Sequence, residues 1–134
     1  MMEAANLGVY LAKHTEDDLD AAIAILKKAD TYSDIRSWIS TALEVKSKFA
    51  NHCESLGIPT WFYGFEPTNM FATQVAKYFD NSIREGGLVQ IGRRAVIFAP
   101  GSAGTRQEIF MDAAQNNYGT TGQYTPMIFL GKQQ

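Results

Sequence analysis

The run Pro100-Gly101-Ser102-Ala103-Gly104-Thr105-Arg106-Gln107-Glu108 follows the apolar stretch Ala95-Val96-Ile97-Phe98-Ala99 and leads into a helix-like segment. A short glycine-bearing loop between a buried strand and a helix N-terminus is where an α/β protein holds a phosphate, because the first-turn amides have no helical partners. Gly101 and Gly104 admit backbone angles closed to other residues and allow a ligand to come close. Ser102 and Ala103 keep that approach free of bulk. The candidate phosphate contacts are Gly101, Ser102, Ala103, Gly104 and Thr105, although a tight turn that binds nothing fits the same residues.

Glu108 has two readings. With Thr105 it matches a capping box, in which the threonine caps the helix and the glutamate reaches back to its amide. One turn beyond the loop, it can instead face the sugar of a nucleotide. Arg84 follows Phe71, Val75, Phe79 and Ile83, a repeat of four that predicts a helix ending near Arg84, before Gly86-Gly87. At such a C-terminus Arg84 is either a surface charge favoured by the helix dipole or a guanidinium that grips a phosphate or polarises a base. His14 and His52 lack ligand-spaced partners, so no metal is expected. Cys53 falls on an apolar helical face and reads as core. Trp61, Phe62 and Tyr63 read as core aromatics, with Tyr63 or Phe65 at a strand end able to stack on a base.

The elements that must position these residues are legible from periodicity. Residues 1 to 13 read as helix, and Thr15 with Asp18 forms a capping box ahead of Leu19, Ala22, Ile23 and Leu26. Ser33 can cap a longer helix carrying Ile35, Trp38, Ile39, Ala42, Phe49, Cys53 and Leu56, with Gly57 as its stop. Strands are predicted over 58–64, 95–99 and 126–130, with helices over about 71–84 and 105–118 between them. Strand, helix, strand, helix, strand implies parallel right-handed crossovers in an α/β fold, with ligands beyond the carboxyl ends of the strands.

The 134 residues, 46% hydrophobic, suit one domain with one core. A formal charge of −2, with no Lys/Arg cluster, argues against nucleic acid as a partner. The single cysteine rules out an intramolecular disulfide framework. No stretch reads as a signal peptide or a membrane span, so a cytoplasmic protein is expected.

Pro100 to Glu108 resembles the Pro-Gly-Gly-x-Gly-Thr-x-x-Glu signature of the LOG family, named for the plant cytokinin-activating phosphoribohydrolases. Met2-Glu3-Ala4-Ala5-Asn6 resembles the segment after that family's first glycine-rich loop, and Glu66 to Gly87, with Asn81-Ser82-Ile83-Arg84, looks most like its bacterial Rossmann-fold branch. The resemblance implies a Rossmann-like parallel sheet with flanking helices, and cleavage of a nucleoside 5′-monophosphate to free base and ribose 5-phosphate. Glu108 would match the signature glutamate, Arg84 the catalytic arginine, and no cofactor is implied. Ser102 stands at the second signature glycine and Glu85 where the family has lysine. The family's first strands and loop would precede Met1 and its closing helices would follow Gln134, so the domain over 1–134 is expected to be incomplete at both ends. An open sheet edge, and the dimers common in the family, lead to an expected homodimer. Two other readings remain: a non-catalytic nucleotide-binding module, and a structural fragment completed by another chain.

Overall fold

The computed structural model describes residues 2–29, 34–61 and 69–131. It opens with α1 (Met2–Tyr10) and α2 (Glu16–Leu26). Thr15 caps α2 as its spacing predicts: Thr15 Oγ1 accepts from Asp18 N at 3.2 Å, and Thr15 N–H donates to Asp18 Oδ2 at 3.2 Å. These bonds from the Thr15 amide and hydroxyl, with His14 nearby, hold the Asp18 carboxyl below its usual range.

α3 (Ile35–Lys48) departs from its sequence reading at both ends. Asp34 is the cap, accepting from the amides of Arg36 and Ser37 at 3.1 and 3.2 Å; Ser33 lies outside the described residues. The helix stops at Lys48, so neither Cys53 nor Leu56 belongs to it. Contacts distant in sequence redirect the chain there: Phe49 is buried, Cys53 N–H donates to Tyr10 O, and His52 stacks on Tyr10 with centroids 4.7 Å apart. His14 Nε2 donates to the Asn51 carbonyl at 2.7 Å. Leu7, Tyr10, Ala22, Val45, Phe49 and Phe71 belong to the core these elements share.

The segment read as a helix from Phe71 to Arg84 is corrected. It holds a strand, β2 (Gln74–Val75), parallel to β1 (Leu56–Gly57). Asn69 Oδ1 accepts from the amides of Phe71 and Ala72, and Ser55 O accepts from Thr73 and Gln74, which fixes these residues as extended chain. Of the apolar repeat, Phe71 is buried while Val75, Phe79 and Ile83 are exposed. Gly57, read as a helix stop, sits in β1, where a Cβ would come within 3.0 Å of Ala72 Cβ. The predicted strand over 58–64 is represented by Thr60, bridged in parallel to Tyr78; residues 62–64 lie outside the described set.

α4 (Asn81–Ile91) begins at Asp80, whose carboxylate accepts from the amides of Ser82 and Ile83 at 2.8 and 3.3 Å, and it runs through Gly86 and Gly87 instead of ending there. β3 (Val96–Phe98), α5 (Ala103–Tyr118) and β4 (Met127–Phe129) follow. β3 and β4 are parallel, Val96 opposite Met127 and Phe98 opposite Phe129, as a strand-helix-strand unit requires. Gly119 ends α5 with φ 61°. The chain is thus α/β, with two two-stranded parallel sheets among the described residues. It divides into two compact units, one built on α1 to α3 with β1 and β2, the other on the Thr60 bridge with α4, β3, α5 and β4. No described helix is long and apolar enough to cross a membrane.

Candidate functional site

Arg84, Glu108 and the loop residues Gly101 to Thr105 all fall in the second unit. The loop from Ala99 to Ser102 joins β3 to α5, as the sequence predicts, but the helix starts earlier, at Ala103 with Ser102 as its cap residue. Thr105 therefore lies inside the first turn, and the expected Thr105–Glu108 capping box does not form. A threonine already in the helix cannot serve as its boundary. The Ser102 side chain makes no capping hydrogen bond, whereas Thr15, Asp34 and Asp80 each cap their helices. The first amides of α5 are left to the loop side, where the helix dipole favours an anion.

The glycines act differently from expectation. Positive φ occurs only at Gly119 and Gly122 among the described residues, so neither Gly101 nor Gly104 needs an unusual backbone angle. Gly101 is required by close packing: a Cβ there would collide with Thr105 Oγ1 and lie 2.8 Å from Thr105 Cβ. Gly104 has nothing within 4 Å of its Cβ position, which leaves the first turn open to an approaching group. Ser102 and Ala103 are exposed.

Arg84 is not at a helix C-terminus. Its amide bonds to Asp80 O at 3.2 Å, in the first turn of α4, because Asp80 and not the Phe71 repeat starts that helix. Glu108, released from capping, lines an apolar groove of about 300 Å³ with Leu88 and Val89 of α4, Gly92 that caps it, Ala95, and Val96 to Phe98 of β3. Burial raises the Glu108 carboxyl above its ordinary value, the negative charge of Glu85 raises it further, and the Arg84 guanidinium opposes both. Arg84 and Glu108 are thus within electrostatic reach of each other across α4 and α5.

Sequence reasoning noted Glu85 only as a departure from the family's lysine and missed the polar groups it binds, and Asp112. Glu85, 3% exposed, accepts from Asn81 Nδ2 at 2.6 Å and from Gln107 Nε2 at 2.9 Å. The i,i+4 spacing of Asn81 and Glu85 was a usable signal once α4 was placed; the Gln107 bond, across helices, had none. Asp112, 1% exposed one turn beyond Glu108, is raised by burial, and its Oδ2 has no hydrogen-bond partner among the described residues.

Elsewhere, Trp61 is 52% exposed and stacks on Phe79 at 6.1 Å, so it is not core. Cys53 is half-buried. Tyr63 and Phe65 lie outside the described residues. His14 and His52 are held by Asn51 and Tyr10, and no three His, Cys, Asp or Glu among the described residues group to hold a metal. Compared with known proteins, the chain matches no family model, no curated protein and no solved structure.

Proposed function

We propose that the chain is a Rossmann-like nucleotide-binding protein that hydrolyses the N-glycosidic bond of a nucleoside 5′-monophosphate, as its LOG-like signature implies. One observation carries this reading: Glu108, one turn into the helix that the glycine loop opens, stands half-buried on an apolar groove, and the Arg84 guanidinium acts on its charge. The phosphate would rest on Gly101 to Thr105, against the α5 amides that no side chain caps. Water attacks C1′ as the C1′–N bond breaks. The bond's electron pair leaves with the base, the water proton passes to Glu108, and the departing nitrogen takes a proton from solvent. Positive charge building on the sugar is stabilised by the adjacent carboxylate. Arg84 balances charge on the phosphate or the departing base, and the step needs neither metal nor organic cofactor.

Incubation of the protein with AMP, GMP, CMP and UMP, followed by chromatography for free base, tests the reading. Base release is expected from the wild type and is expected to fall at least about a hundredfold in Glu108→Gln. Because Glu108 does not cap α5, that substitution leaves the helix start intact. Equal release by both proteins would remove Glu108 from the mechanism, and no release from folded wild type would defeat the hydrolase reading. A second reading, a nucleotide-binding module without turnover, is favoured by Glu85, whose charge beside Arg84 weakens the positive field a phosphate would meet. Its signature is calorimetric binding of a monophosphate with no free base.

A further inference from the structure

Glu85 is the buried charge that this mechanism leaves unused. Both of its carboxylate oxygens are engaged, Oε1 by Asn81 one turn earlier on α4 and Oε2 by Gln107 on α5. Gln107 immediately precedes Glu108, and Arg84 immediately precedes Glu85. One carboxylate therefore ties the two helices together at the neighbours of both proposed reactive groups. Amide donors satisfy its oxygens without cancelling its charge, and at 3% exposure solvent screens that charge little.

Resting on the phosphoribohydrolase reading, we propose that Glu85 is a positioning residue: its bonds to Asn81 and Gln107 lock α4 to α5 so that Arg84 and Glu108 face one substrate. The lock holds its negative charge near Glu108, which makes Glu108 a stronger base towards the attacking water. The charged groups that act on Glu108 from α4 are Glu85 and Arg84. β3 presents Val96, Ile97 and Phe98, which carry no charge. α5 itself contributes Asp112 one turn on. A more basic carboxylate takes the water proton more readily, and in exchange must be deprotonated at a higher pH before it acts.

AMP hydrolysis as a function of pH by wild type, Glu85→Gln and Glu85→Asp tests this, with the Glu108 carboxyl titrated by 13C NMR in the same proteins. Glutamine matches glutamate in shape, and its new N–H has an acceptor to turn to, since Asn81 Oδ1 is buried without a hydrogen-bond partner among the described residues. In Glu85→Gln the acid-limb midpoint and the NMR midpoint are expected to fall by about half to one pH unit, and plateau turnover about threefold. Glu85→Asp keeps the charge but is too short to hold both amides, so its midpoint is expected near wild type while its Tm falls. A midpoint unmoved in Glu85→Gln overturns the proposal. If Glu85→Gln does not fold, Glu85→Asp decides: plateau turnover that falls as the bonds to Asn81 and Gln107 are lost, with the midpoint held, supports the proposal, and turnover equal to wild type overturns it. If wild type hydrolyses no AMP at any pH, the phosphoribohydrolase reading fails, and the NMR midpoints still report separately whether Glu85 governs Glu108.

Discussion

Asp112 shows how an acidic residue at this site bears on stability. Its carboxyl is almost fully buried, and burial raises its affinity for a proton above that of an ordinary aspartate. The folded state therefore binds the proton more tightly than the unfolded chain, and stability falls as pH rises from the unfolded value near 4 through the folded one. Above both values the full penalty is present. Asp112→Asn removes the charge, so it is expected to raise stability at pH 7.5 and to give no gain at pH 2.5, where both states are protonated. Thermal melts at the two pH values check this. A Tm lowered at pH 7.5 would mean that the Asp112 charge is compensated. Glu108 has the same sign of shift, from burial and from the negative charge of Glu85.

At the scale of elements, α4 carries the sharpest test. Gly86 and Gly87 look like a helix stop in sequence, yet they lie inside the helix, and neither has a positive φ. A Cβ would meet Met111 Cε at 3.9 Å from Gly86 and the Tyr78 hydroxyl at 4.0 Å from Gly87, both ordinary contacts. Gly86→Ala and Gly87→Ala are each expected to stabilise by about 0.5–1 kcal/mol, seen as a higher Tm. A helix that ended at Arg84 would give no gain, or a loss. The same region marks where the sequence was legible. α2 and the β3–α5–β4 unit could be read because a capping box, an apolar run and a terminal glycine are local signals. β2 could not, since Phe71, Val75, Phe79 and Ile83 have helical spacing and the groups that override it, Ser55 and Asn69, act through backbone bonds that spacing does not encode. Of the site, Arg84, Glu108 and the loop were visible as residue types. The start of α4 at Asp80, which sets where Arg84 stands, and the Gln107–Glu85 bond, which joins the helices, were not.

At the scale of the whole molecule, the β3–β4 sheet bears on association. Among the described residues no third strand pairs with it, and Ile97, Ile128, Phe129 and Leu130 are 42–61% exposed. A two-stranded sheet is marginal in water, and an open edge is a template for another strand. Proteins commonly guard such edges with charge, but from Ala113 to Gly131 there is no Asp, Glu, Lys or Arg. An uncharged edge can meet its own copy about a two-fold axis without like-charge repulsion. The expected occupant is a second copy of the chain. Light scattering after size exclusion should give a dimer that dissociates on dilution, and Leu130→Lys, which spares the stacked Phe98 and Phe129 rings, should shift the protein to monomer with its helical circular dichroism unchanged. Wild type that is monomeric at every concentration would sink the idea. A Leu130→Lys protein that remains dimeric would place the interface away from this edge.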